Sequence, residues 1–181
     1  MAAAAKRLAR TMRTPGTDCG VSAWDASGIF YDLLQGDRSL PGASPRTLLL
    51  LYAADLAFRL RWQIRPTIEA GATVVAAPYV ESAIAFGRAT GLPKVWIREL
   101  LRFAPAPDVC YRVAEDRIPF NKRGKPTESF LEFCFLQLRK GSGAWVTEEV
   151  RKTFFAQLKT LEARGRCQLV TRAAPTAVSW Q

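Results

Sequence analysis

The longest regular pattern in the chain runs from residue 44 to residue 89, SPRTLLLLYAADLAFRLRWQIRPTIEAGATVVAAPYVESAIAFGRA. Leu49, Tyr52, Leu56, Leu60 and Ile64 recur at steps of three and four residues, the period of one helical face. Ser44 offers an N-cap hydroxyl, and Pro45 stands at the first helical position, where its missing N–H costs nothing. Pro66 is expected to kink or break this helix, and Gly71 to end it. The run 72–77, ATVVAA, is continuously apolar, as in a parallel strand covered on both faces. The turn Ala77-Pro78-Tyr79 follows, and then a second helix over 80–90.

Elsewhere the pattern is shorter. Thr14-Pro15-Gly16-Thr17 signals a turn, and Ile29, Phe30, Leu33 and Leu34 give 24–35 helical spacing despite Gly28. Residues 36–44 read as a loop. A helix is expected over 93–104 between Gly91 and Pro105, a strand over 108–113, and a polar basic loop over 115–128. The apolar segment 129–140 reads as a helix broken by Gly141-Ser142-Gly143. Thr147 should cap a further helix over 148–164, with Glu148 and Glu149 at the positive end of its dipole. A short strand over 167–171 and a loose tail complete the chain. Strands alternating with helices, without internal repeats, imply an α/β fold with a mostly parallel sheet.

A chain of 181 residues suits one domain with a real core. Hydrophobic residues at 49% and charged residues at 23% put it among globular proteins. No apolar run approaches the roughly 20 residues that cross a bilayer; 48–54 is soon followed by Asp55, Arg59 and Arg61, so a soluble or peripheral chain is expected. The net charge of +10 leaves two readings open. One is a solvated basic surface; the other is a polyanionic partner such as nucleic acid, nucleotide phosphates or an acidic subunit. The first seventeen residues carry Lys6, Arg7, Arg10 and Arg13 and no acid, the composition of an organellar transit peptide or of an ordinary basic N-terminus.

The absence of histidine removes imidazole acid–base catalysis, histidine-dependent nucleophiles and imidazole metal sites. Cys19, Cys110, Cys134 and Cys167 are widely spaced, with no C-x-x-C pair, and buried, reduced thiols are expected. The five tryptophans, Trp24, Trp62, Trp96, Trp145 and Trp180, are expected as core and interface anchors.

Several segments in order resemble the thymidylate kinase family of P-loop nucleotide kinases. Arg13-Thr14-Pro15-Gly16-Thr17 is similar to that family's Arg-Glu-Pro-Gly-Gly-Thr turn, and Leu50 to Asp55 to its Leu-Leu-Phe-Ala-Ala-Asp helix. Ile64 to Gly71 resembles Ile-Lys-Pro-Ala-Leu-Ala-Asn-Gly, and Pro107-Asp108-Val109 the Pro-Asp lead into the next strand. The resemblance covers about Arg13 to Val113. It implies a P-loop-kinase-like parallel sheet flanked by helices, here truncated, without the first, central strand and its P-loop. The chain contains no Gly-x-x-x-x-Gly-Lys-Ser/Thr, the loop that cradles phosphate. Ala77-Pro78 stands where the family has Asp-Arg, Leu56 where it has a base-contacting arginine, and Phe86-Gly87 where it has Tyr-Gln.

The resemblance leaves Arg13, Asp55, Tyr79, Glu81 and Ser82 as remnants of a nucleotide pocket, and Arg117, Lys122, Arg123 and Lys125 as a lid-like basic loop within 114–128. Asp55 reads either as buried against Arg59 or as exposed at the helix edge. The family's first strand lies between those corresponding to 72–77 and 108–113. Its absence requires the sheet to close up, to recruit residues 1–12, or to take help from another chain. Phosphoryl transfer rests on positioning and charge stabilisation, so a non-catalytic domain is expected, with no cofactor and no metal. The implied role is a structural subunit of a larger assembly, respiratory or ribosomal, in the mitochondrial matrix or alternatively the cytoplasm, with other subunits or RNA as partners. An active dTMP kinase whose N-terminal part lies outside this sequence, and a nucleotide-binding sensor, are the alternatives.

Overall fold

In the computed structural model, which describes residues 2–16, 18–24, 42–113, 130–163 and 168–170, strand β1 (Cys19–Ala23) runs parallel to β2 (Thr73–Ala77). Cys19 lies opposite Thr73 and Ala23 opposite Ala77. Strand β1 falls where the sequence shows only a turn and then a helical pattern. Helix α1 (Ala2–Met12) packs on both strands and buries Ala5 and Ala9. Residues 2–12 therefore do not supply a strand. Ala5 and Ala9 share one side of a basic helix, so α1 covers a face of the strand pair instead of extending its edge.

The long helical segment opens at α2 (Pro45–Arg59), where the Ser44 hydroxyl accepts from the Thr47 N–H at 3.1 Å. It does not break at Pro66. A π turn (Leu60–Ile64) joins α2 to α3 (Arg65–Glu69), and the Arg65 N–H reaches back to the Leu60 carbonyl. The proline lacks an N–H and its ring crowds the preceding turn, and the wider turn just ahead accommodates it. Gly71, at φ +79°, ends the segment and leads into β2. Val74, Val75, Ala76 and Ala77 are only half-buried, so β2 is not sealed on both faces as its apolar run suggests.

Helices α4 (Val80–Ala89) and α5 (Lys94–Leu100) follow, and then β3 (Tyr111–Val113). The stretch α6 (Phe130–Ala163) is two helices meeting at Gly143, whose φ of 83° and ψ of 174° are not helical, so the expected break at Gly141-Ser142-Gly143 is present. The second helix begins at once, so Thr147 is not a cap; its hydroxyl donates to the Gly143 carbonyl at 2.7 Å, one turn back. Strand β4 (Gln168–Val170) pairs parallel with β3. The fold is thus helix-rich α/β with parallel strands, but the described strands form two separate pairs, β1–β2 and β3–β4, not one sheet. The expected helix over 24–35 and the basic loop over 115–128 lie outside the described residues, apart from Trp24, which is buried.

An aromatic core ties these layers together. Phe130 lies 4.5 Å from Tyr52, 5.6 Å from Trp24 and 6.5 Å from Phe86, measured between ring centroids. Phe135 continues the row to Phe154 at 5.9 Å. These are separations at which tilted and edge-on rings attract. Cys19 and Cys134 are buried free thiols, but Cys110 is disulfide-bonded, which corrects the expectation of reduced thiols for that residue. Spacing along the chain does not show which residues folding brings together. Among the described residues no helix is long and apolar enough to cross a membrane.

Candidate functional site

In parallel α/β sheets, ligands gather at the carboxyl ends of the strands. Here that place is the Ala77-Pro78-Tyr79 turn after β2, with the Ala77–Pro78 peptide cis. Neither Ala77 nor Pro78 carries a polar side-chain group. The polar groups reach the turn from α2 instead. Asp55 and Arg59 sit four residues apart on its inner side, and their ion pair is 2.7 Å long with side chains only 10% and 4% exposed. The Arg59 guanidinium also donates from both terminal nitrogens to the Pro78 carbonyl, at 3.3 Å each.

Tyr52 lies one turn earlier on the same side, fully buried; its hydroxyl meets no partner at good hydrogen-bond geometry, although the Arg59 guanidinium is near enough to act on it. Burial raises its pKa well above the ordinary phenol value; the nearby Arg59 charge opposes the shift. Tyr79 occupies the N-cap position of α4 without capping it, and its hydroxyl donates to the Pro105 carbonyl at 2.8 Å. Burial raises that phenol too, against the charges of Arg59 and Arg65.

The expected site residues are therefore only partly assembled. Asp55 and Tyr79 share the Arg59 neighbourhood, and Glu81 and Ser82 lie half-buried in the first turn of α4 beside it. Arg13 does not join them. Its guanidinium donates to the Cys19 carbonyl at 3.3 and 3.2 Å and approaches Asp18 at 3.5 Å, at the amino end of β1. The turn is at the other end of the parallel pair, about 13 Å away at 3.3 Å per residue. Arg117, Lys122, Arg123 and Lys125 lie outside the described residues. Sequence reasoning left the Asp55–Arg59 pairing open and missed the reach of Arg59 to Pro78; the i,i+4 spacing of an acid and a base on an apolar helix face was the available signal.

Positions where polar contacts are expected hold core residues. Leu56 and Phe86 are fully buried, and Gly87 is wedged so closely that a Cβ would lie 2.7 Å from Ile97 Cδ1 and 2.8 Å from Leu49 Cδ1. The turn itself carries no carboxylate: the Asp55 carboxylate is held by Arg59, and Glu81 stands in the first turn of α4.

No family model matches the chain. Over 62 residues it is 40% identical to a probable thymidylate kinase of Thermococcus kodakarensis, a match spanning 34% of this chain and 30% of that protein. It is 34% identical over 65 residues to a probable thymidylate kinase of Caldivirga maquilingensis, covering 36% of this chain and 32% of the relative. A longer match, 32% identical over 91 residues, is to a probable thymidylate kinase of Pyrobaculum calidifontis and covers 50% of this chain and 47% of that protein. The chain spans from about a third to about half of the length of these relatives.

Proposed function

From the relationship of this chain to the thymidylate kinase family, we propose that it is a non-catalytic member, retained as a scaffold subunit of a larger assembly. The observation that carries this reading is the Arg59–Asp55 pair closed onto the Pro78 carbonyl. A phosphate arriving at this buried arginine would have to compete with the Asp55 carboxylate and the Pro78 carbonyl that already hold it. Leu56, Phe86 and Gly87, packed in the core, offer no group to a base or a sugar.

The test is direct. Purified chain incubated with ATP, dTMP and magnesium is expected to form no ADP above background, and neither nucleotide is expected to raise the melting temperature. Turnover abolished by Asp55→Asn would sink the proposal.

A second reading is favoured by the separation of β1–β2 from β3–β4. In it the chain is part of an active dTMP kinase, completed by a segment or a subunit beyond these 181 residues that joins the two pairs. Co-expression with a P-loop-bearing segment that restored ADP formation would establish it.

A further inference from the structure

Helix α1 has one apolar side, and that side is already used. Ala5 and Ala9 are buried on the β1–β2 pair, with Leu8 and Met12 half-buried beside them. Lys6, Arg7 and Arg10 are exposed. At about 3.6 residues per turn these three lie within an arc of about 100° on the side away from Ala5 and Ala9. Lys6 and Arg10 are about 6 Å apart along the axis.

Among the described residues none of the three has an ion-pair partner, and the helix contains no acid. Asp18, the next acid along the chain, approaches Arg13. Lys6 and Arg10 stand four residues apart and Arg7 and Arg10 three, spacings at which like charges repel and weaken a helix. The outer face of α1 is thus a concentrated positive charge that the described residues leave uncompensated, and a bound polyanion would relieve the repulsion.

We propose that this face binds the phosphate backbone of a nucleic-acid duplex without reading its sequence. Three features select this occupant. A helix that lies on a membrane needs an apolar face for the bilayer, and that of α1 is taken by the strand pair. An acidic protein would find no aromatic or large apolar anchor among Lys6, Arg7 and Arg10. Unpaired bases would find no ring to stack on, because α1 has no aromatic residue, whereas a duplex offers a regular row of phosphates. The inference goes beyond the scaffold reading and does not depend on it; ADP formation tests that reading and leaves this one untouched.

The probes are fluorescent duplexes of about 20 base pairs, one of DNA and one of RNA, titrated with the full chain. Saturable binding of at least one is expected, equal for two unrelated sequences. Its log K should fall against log salt with a slope of about −3 or steeper between about 50 and about 200 mM. In Lys6→Gln/Arg7→Gln/Arg10→Gln the slope should shrink by about 3 and the affinity at about 50 mM should fall about tenfold or more, with the circular dichroism spectrum unchanged. The control Arg88→Gln/Arg98→Gln/Lys159→Gln removes the same charge from exposed positions elsewhere and should bind nearly as the parent does. No binding of either duplex, an equal loss in the control, or tighter binding of a single strand than of a duplex overturns the proposal. Binding of phosphatidylserine vesicles or of polyglutamate in place of the duplex, lost in the α1 variant, overturns it in favour of a membrane or an acidic protein.

Discussion

The Arg59 guanidinium is anchored to the Pro78 carbonyl nineteen residues further along the chain, at 3.3 Å from each terminal nitrogen, while Asp55 holds its Nε at 2.7 Å. One buried side chain thus joins the middle of the long helix to the turn at the end of β2. The turn owes its position to α2 as much as to the strand that leads into it.

Asp55→Asn leaves the guanidinium buried beside a neutral amide. Loss of one partner of a buried pair is expected to cost about 3–5 kcal/mol, read as a lower urea midpoint with an unchanged m-value. The double change Asp55→Leu/Arg59→Met is expected to recover a substantial part of that loss, because no charge is then left buried. A double variant no more stable than Asp55→Asn would show that the two residues act independently.

Tyr52→Phe removes a buried hydroxyl that meets no partner at good hydrogen-bond geometry, so stability at neutral pH should be equal or higher; a loss of more than about 1 kcal/mol would mean that Arg59 satisfies the hydroxyl in solution. The alkaline limb gives a second readout. Burial holds the Tyr52 phenol above its ordinary 10.0 and the Cys134 thiol well above 9.0. Above these ordinary values the unfolded chain releases both protons while the folded chain keeps them. The unfolded state then binds fewer protons, so stability falls as pH rises from about 9. Tyr52→Phe should flatten the part of this fall that lies above pH 10, as followed by urea melts at successive pH values.

Gly87→Ala sets two effects against each other. Alanine favours the helix by about 1 kcal/mol. The added Cβ meets Ile97 Cδ1 at 2.7 Å and Leu49 Cδ1 at 2.8 Å, contacts that must yield where α2, α4 and α5 close together. Overpacking costs about 1–3 kcal/mol, so a net loss of roughly 1 kcal/mol in thermal or urea melts is expected. A stabilised variant would show that the two side chains can move aside freely.

At Gly143 the direction is unambiguous. Its φ of 83° and ψ of 174° lie in a region essentially reserved for glycine. Gly143→Ala is expected to destabilise by about 1–3 kcal/mol, or to straighten α6 and pull Phe154 away from Phe135. A changed near-ultraviolet spectrum would report the second outcome.

The elements legible in the sequence are those whose local signals agree with their packing. Ser44, Pro45 and Gly71 bound the long helical segment as read, and 80–90 contains α4. Strand β1 was not legible, because Cys19 to Ala23 carries little β-branched or alternating character and is held by its neighbour β2 and by α1. Pro66 marked where the regular α pitch gives way but not the form that takes: a π turn just ahead accommodates the ring, and the segment does not break. Within the site, Ala77-Pro78 and Leu56 showed which groups are missing. They did not show that Arg59 fills the turn from another element, since a contact across nineteen residues leaves no periodic trace.

The π turn at Leu60–Ile64 has a further consequence. A π turn is an α-helix holding one residue more than its pitch requires, so everything after it is rotated by about 100° relative to an uninterrupted helix. That rotation puts the Gln63 side chain within 2.9 Å of the Ser22 hydroxyl on β1 while Leu60 and Ile64 both stay in the core. The segment therefore has two phases, one that aims Arg59 at the turn after β2 and one that aims Gln63 at β1. Removing Arg61 or Trp62 would restore the α pitch and uncouple these two directions without touching either contact's own side chains.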